Sequence, residues 1–282
     1  MGKDVALVLS SGGARGLAHI GAIEELEAQG YRITSIAGCS MGALIGGVYA
    51  AGKLDEFRDW MKTVDRKKML ELTDFSFSLN HIVKGTRIIE AIMEFVPDVK
   101  IEDLPIPYCA VATDWVTGRE VVFREGSLFE AIRASISLPS FYEPVHRDGM
   151  ILIDGGVTNP IPLNRVVRKE GDILVGVDVS GHDYKAQSEM HHELAEKRKR
   201  STSLSQQILN KLIPDNLEFN YYTMLSRVSS ILIRQNSILM AQLMKPDILV
   251  DIQMARYGGF DFDKSEKLIA IGRQKTLQAL NK

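Results

Sequence analysis

A serine set between two glycines, Gly38-Cys39-Ser40-Met41-Gly42, is the sharpest chemical signal in the chain. This G-x-S-x-G pattern lies between an apolar stretch, Ile33 to Ala37, and a small-residue stretch running from Met41 to about Ala51. Strand, elbow and helix is the context in which such a serine presents its hydroxyl at the apex of a strained turn. The flanking glycines remove side chains that would meet neighbouring backbone. The helix start beyond Ser40 turns its positive dipole end toward a developing oxyanion. The competing reading is a plain turn in which the Ser40 hydroxyl caps the helix. Cys39 sits beside the apex rather than on it and reads as a small buried filler.

A second signal is Ser10-Ser11-Gly12-Gly13-Ala14-Arg15-Gly16, placed where an apolar strand, Val5 to Leu9, turns into a helix. Free backbone N–H groups gather at such a turn, and three glycines with Arg15 can hold a phosphate or the oxyanion of ester cleavage. Neither nucleotide fingerprint is met. There is no G-x-G-x-x-G, and no Lys followed by Ser or Thr after the last glycine.

A serine nucleophile needs a base. Asp154 follows the apolar stretch Ile151 to Ile153 and opens Asp154-Gly155-Gly156. Taken alone it reads first as an ordinary Asp-Gly turn, and second as a carboxylate facing an adjoining site. Of the six histidines, His19 falls one turn into the first helix, where a packed or partnered role is expected. His81 and His146 have no motif around them. His182, His191 and His192 follow Asp154, so Ser40, Asp154 or Asp178, and His182 would satisfy the chain order of an α/β-hydrolase triad. His182 lies in a polar loop and reads first as a solvated side chain.

These residues need strands and helices to position them. Val5 to Leu9, Ile33 to Ala37, Tyr108 to Ala112, Val121 to Phe123, Ile151 to Ile153, Ile173 to Val177 and Ile248 to Ile252 read as strands. Helical patterns between them predict a largely parallel sheet with helices on both faces. The first helix runs to about Gln29, with Gly30 as its stop. Asp65 to Gly85 and Gly181 to Asn216 are polar and irregular, and read as loops, lids or surface helices. The run Lys197-Arg198-Lys199-Arg200 reads first as a solvated helix face and second as a contact for anionic lipid head groups. Tyr221 to Met244 carries Leu225, Val228, Leu232 and Leu239 at near-helical spacing. Core packing is the simplest reading, and an acyl-chain wall with a membrane-facing lip the sharper one.

Composition bounds the rest. The 282 residues are 45% hydrophobic and 25% charged, with 34 Lys plus Arg against 36 Asp plus Glu. That excludes disordered, collagen-like and disulfide-framework classes. Cys39 and Cys109 match no metal pattern and suit a reducing cytosol. The apolar run after Lys3 and Asp4 is too short for a signal-peptide core, and Ala6 breaks the myristoylation pattern. Ile33 to Gly52 has spanning length without a formal charge. Its five glycines with Thr34, Ser35 and Ser40 favour a strand, turn and buried helix instead.

Together the three motifs resemble the patatin-like phospholipase family, in particular its short bacterial members. The family's G-G-G-x-R/K-G, G-x-S-x-G and D-G-G/A correspond here to Ser11 to Gly16, Gly38 to Gly42 and Asp154 to Gly156. Supporting text lies at Lys84-Gly85, Ile101 to Pro107, Ala134 to Pro139 and Asn159 to Pro162. The resemblance covers Val5 to Val179 strongly and the remainder loosely. Ser11 departs from it, standing where the family usually has its first glycine, so the turn geometry there is open.

The resemblance implies Ser40 as nucleophile and Asp154 as its direct partner in a Ser-Asp dyad with no histidine. It implies an oxyanion hole at Gly12, Gly13 and Arg15, with Gly16, Gly38, Gly42, Gly155 and Gly156 completing the motifs. The fold it implies is a three-layer α/β/α sandwich with a mostly parallel central sheet. That fold forms one domain over residues 1–282, with a motif-bearing core at about 5–179. The activity implied is hydrolysis of fatty-acyl esters of phospholipids or lysophospholipids. No metal or organic cofactor is implied, and no nucleic-acid partner. The expected setting is cytoplasmic, with peripheral membrane contact. An acyltransferase is the nearest alternative, because an alcohol or thiol can discharge the same acyl-enzyme. A weakly active lipid-binding regulatory protein is the alternative from another class. A nucleotide-binding protein is disfavoured by the missing fingerprints.

Overall fold

The computed structural model describes residues 3–72, 86–139, 141–181, 188–189, 192, 221–253, 257–259 and 261–282. The expectations for His81, Lys84-Gly85, His182, His191 and the Lys197 to Arg200 run lie outside the described residues.

Five strands run parallel: β1 (Lys3–Leu9), β2 (Tyr31–Cys39), β3 (Tyr108–Asp114), β7 (Ile173–Gly181) and β8 (Ile248–Gln253). Three further strands join by antiparallel pairing: β4 (Glu120–Phe123) and β6 (Met150–Asp154) each pair with β3, and β5 (Val145–Arg147) pairs with β6. The sheet order is β5-β6-β3-β2-β1-β7-β8, with β4 paired to β3 off this path. The predicted mostly parallel sheet is observed, with a mixed edge.

β1 lies in the middle because its apolar run can be buried on both sides, and Val5 to Leu9 are fully buried. Alternation divides its side chains. Val5, Leu7 and Leu9 enter the larger core, while Ala6 and Val8 enter a smaller one with Ile161, Leu163 and Leu174.

Helices α1 (Ala18–Ala28), α2 (Met41–Ala50), α3 (Leu54–Lys62), α4 (Arg66–Leu72), α5 (Thr86–Met93) and α6 (Leu128–Ser135) follow in order. Then come α7 (Tyr221–Met244) and α8 (Ser265–Leu280). Residues of α1, α2, α3, α5, α6 and α8 build the larger core. Met240, Ala241 and Met244 of α7 pack on the smaller one, so among the described helices α7 alone faces that side. α8 presses onto α1 backbone to backbone. A Cβ at Gly21 would collide with the Ile269 carbonyl, and one at Gly272 with the Ala18 carbonyl.

Two registers place the motif ends. Cys39 of β2 pairs with Val111 of β3, and Asp154 of β6 pairs with the next residue, Ala112, on the same edge of β3, the opposite edge being taken by β4. β6 runs antiparallel to β3, so its last residue lies deeper in the sheet than Leu152, which pairs with Asp114.

Candidate active site

Ser40 follows β2 at the turn into α2 and holds φ 53°, ψ −121°. A non-glycine residue keeps such a backbone only where its surroundings over-determine it. Here the surroundings are tight. A Cβ at Gly38 would collide with the Gly42 carbonyl, and one at Gly42 with the Leu9 carbonyl. The Ser40 N–H donates to Ser135 Oγ at 2.8 Å, and Ser135 Oγ donates to the Val111 carbonyl at 2.6 Å. The Ser40 carbonyl accepts from Ala43 and Leu44 in the first turn of α2.

The Ser40 hydroxyl caps nothing, which removes the plain-turn reading. It donates to Asp154 Oδ2 at 2.6 Å, joining positions 114 residues apart. The other carboxylate oxygen of Asp154 accepts the Gly156 N–H at 2.7 Å. The Asp154 backbone is held by N–H donation to the Ser137 carbonyl at 2.9 Å and by Thr113 Oγ1 donating to its own carbonyl at 3.1 Å. Asp154 is buried. Burial raises its pKa to about 6, against the pull of the Ser40 and Gly156 hydrogen bonds.

The glycine-rich turn meets this pair from β1. The Ser11 N–H is committed to the Pro160 carbonyl at 2.8 Å and that of Ala14 to the Gly259 carbonyl at 2.8 Å. Between them, the N–H groups of Gly12 and Gly13 have no acceptor among the described residues. Gly13 has φ 56°, and a Cβ there would lie 2.6 Å from the Gly259 carbonyl oxygen. Ser11, the departure from the glycine run, is buried, and its Oγ lies 3.2 Å from where a Gly156 Cβ would be. A residue without a side chain at Gly156 thus makes room for the serine. Arg15 Nε donates to the Gly12 carbonyl at 3.3 Å. Burial lowers the guanidinium pKa and the charge of Asp178 opposes that.

The remaining candidates fall elsewhere. Cys39 is fully buried and burial holds its thiol well above the usual range, so it is a filler. His19 is also fully buried. Its Nε2 donates to the Ser10 carbonyl at 2.8 Å, and burial lowers its pKa to about 4, leaving a neutral ring that braces the turn. His146 is exposed on β5. The Asp178 carboxylate is taken by Arg234 of α7 at 2.8 Å and by the Ser180 N–H at 2.8 Å, not by Ser40. Sequence reading assigned no role to Ser135 or Arg234. Ser135 sits in the Ala134 to Pro139 segment that carried part of the resemblance.

Next to the elbow lies an apolar pocket. Leu17 and Met41 form one wall, Phe57 and Trp60 another, with Met69 and Ile92 closing it. Met41, which directly follows Ser40, is one of the pocket's lining residues. The arrangement can support attack by a hydroxyl on a carbonyl carbon, with a carboxylate to receive the proton and two N–H groups for the resulting oxyanion.

The profile of patatin-like phospholipases matches residues 7–167. An NTE family protein of Mycobacterium tuberculosis (strain ATCC 25618 / H37Rv) is 47% identical over 179 residues, 64% of this chain and 50% of that protein. The neuropathy target esterase sws of Drosophila melanogaster is 31% identical over 189 residues, 64% of this chain and 13% of the fly protein. The chain therefore spans about half of the first relative and a small part of the second. VipD from Legionella pneumophila shares the fold with a TM-score of 0.52 at 15% identity, covering 99% of this chain and 66% of VipD. The matched stretch runs from β1 past Asp154 and contains all three glycine-bearing motifs, and it places the chain in the patatin-like phospholipase family.

Proposed function

We propose that the protein is a serine acyl hydrolase that cleaves fatty-acyl esters of phospholipids or lysophospholipids. The observation that carries this reading is the 2.6 Å hydrogen bond from Ser40 Oγ to a buried Asp154, with the N–H groups of Gly12 and Gly13 in the adjoining turn having no acceptor among the described residues. Ser40 Oγ attacks the ester carbonyl carbon as its proton passes to Asp154 Oδ2. The negative charge collects on the former carbonyl oxygen, where Gly12 and Gly13 donate and Arg15 adds positive potential. Collapse breaks the ester C–O bond, and the proton on Asp154 leaves with the alcohol. Water, deprotonated by Asp154, then attacks the acyl-enzyme and restores Ser40.

An aspartate is an unusual base, because a free carboxyl near pKa 3.9 accepts a hydroxyl proton poorly. Raising it to about 6 brings it closer to the pH at which it must work, while leaving it mostly ionised at neutrality. Fluorophosphonate labelling and release of acyl groups from short- and long-chain esters test the proposal with purified protein. Both are expected in the native protein and absent from Ser40→Ala; unchanged hydrolysis by Ser40→Ala overturns the assignment.

A further inference from the structure

α7 is built inside out. Its inward side carries Arg234, ion-paired to Asp178 at 2.8 Å and to Asp251 at 3.2 Å, and Ser237, which is fully buried with its hydroxyl 3.4 Å from Ser180 Oγ. Its outward side carries Met224, Val228, Ile231, Leu232, Leu239 and Leu243, all exposed. The last residues of that series are the most open, with Leu239 at 60% and Leu243 at 74% exposure. At 3.6 residues per turn these positions fall on one side of the helix over roughly 28 Å, with the exposed Gln235 and Gln242 among them. Scattered exposed apolar residues are ordinary, but six on one side of a single helix mark a surface that something apolar covers.

Charge selects what covers it. The chain as a whole has 36 acidic and 34 basic residues, yet no Asp or Glu occurs from Tyr221 to Met244. The helix carries Arg227, which is exposed, and Arg234, and is followed by the exposed Lys245. Arg234 is neutralised by Asp178 and Asp251, so a second copy of this chain would set the exposed Arg227 and Lys245 against their equals with no exposed acid on the helix to meet them. An anionic bilayer offers hydrocarbon for the leucines and phosphate for the cations together. α7 also packs against the turn Gly155–Val157, whose exposed Val157 lies three residues from Asp154. The surface therefore adjoins the candidate site.

We infer that the outward face of α7 is a docking surface for anionic phospholipid bilayers. It rests on the proposed acyl-ester reading only for what the site would find there. The test uses the full chain carrying Ser40→Ala, so that vesicles stay intact, with and without Leu232→Gln, Leu239→Gln and Leu243→Gln together. Co-sedimentation with phosphatidylcholine vesicles containing phosphatidylglycerol is expected, weakened about tenfold or more by the triple substitution and weaker for vesicles of phosphatidylcholine alone. In the Ser40 background, the triple variant should hydrolyse a soluble short-chain ester at the unsubstituted rate, which shows that the fold and site are intact. Equal vesicle binding with and without the leucines overturns the inference, as does absence of binding. Conversion of a dimer to a monomer by the triple substitution, without vesicle binding, overturns it in favour of a chain-to-chain interface. Absence of Ser40-dependent turnover of the soluble ester in the protein with its leucines intact would instead sink the hydrolase reading, leaving vesicle binding to decide the surface.

Discussion

Ser135 Oγ accepts the Ser40 N–H at 2.8 Å and donates its own proton to the Val111 carbonyl at 2.6 Å, so one hydroxyl ties the elbow to β3. The Ser40 N–H is thereby spent on holding the turn and is not open to an oxyanion. Ser135→Ala would leave a buried N–H unpaired at a cost of about 1–3 kcal/mol. Ester turnover is expected to fall about tenfold with little change in KM, because the nucleophile loses its aim rather than the pocket its shape. Ser135→Thr, which keeps a hydroxyl, should recover part of the loss in steady-state kinetics.

Activity should rise with pH through Asp154. Its carboxyl must be ionised to take the Ser40 proton, and its pKa stands at about 6. A plot of log kcat/KM for a soluble ester is expected to climb with unit slope and level off above about pH 6. A plateau extending down to pH 4 would mean that Asp154 is not the group titrating.

The same shift has a sign in stability. The native state holds the Asp154 proton more tightly than the unfolded chain, whose carboxyl titrates near 3.9. The neutral form is therefore favoured in the fold. Stability from this group is fullest below about pH 4, declines as pH rises from about 4 to about 6, and is flat beyond. At neutral pH the ionised carboxylate costs the fold up to about 3 kcal/mol. Asp154→Asn should raise the thermal midpoint at pH 7 relative to the native protein and narrow that gap at pH 4, while abolishing turnover.

Arg234 and Asp178 form a pair whose side chains are 12% and 3% exposed. Removing one member strands a buried charge, so Arg234→Met is expected to destabilise the protein by about 3 kcal/mol in urea unfolding. Adding Asp178→Asn to it should restore much of the loss. A double variant no more stable than Arg234→Met would show that the pair is not coupled.

Local pattern carried the strands well, because Val5 to Leu9 and Ile173 to Val177 are apolar runs that only a covered sheet can bury. Strand ends went further than those runs: β3 continues through Thr113 and Asp114 and β7 through Ser180 and Gly181, held by pairing to neighbours rather than by their own apolarity. Three glycine-bearing motifs announced the site because each marks a close approach of backbone. Ser135 could not be read, since its value depends on a partner 95 positions away. Periodicity identified α7 as a helix but misjudged its orientation, and core packing of Val228, Leu232 and Leu239 is corrected to exposure. The inward face belongs to Arg234 because Asp178, buried on β7, requires a cation.

Ser40 and Asp154 are both registered on one strand. Cys39, just before Ser40, faces Val111 of β3, and Asp154 faces the next residue, Ala112, on the same edge. β3 thus acts as a ruler, and any shear that shifts it carries nucleophile and base in the same direction. Heating should leave their spacing intact until the ladder itself unzips. Such a site needs no closing motion to assemble its two halves, and inactivation by heat becomes the melting of the sheet.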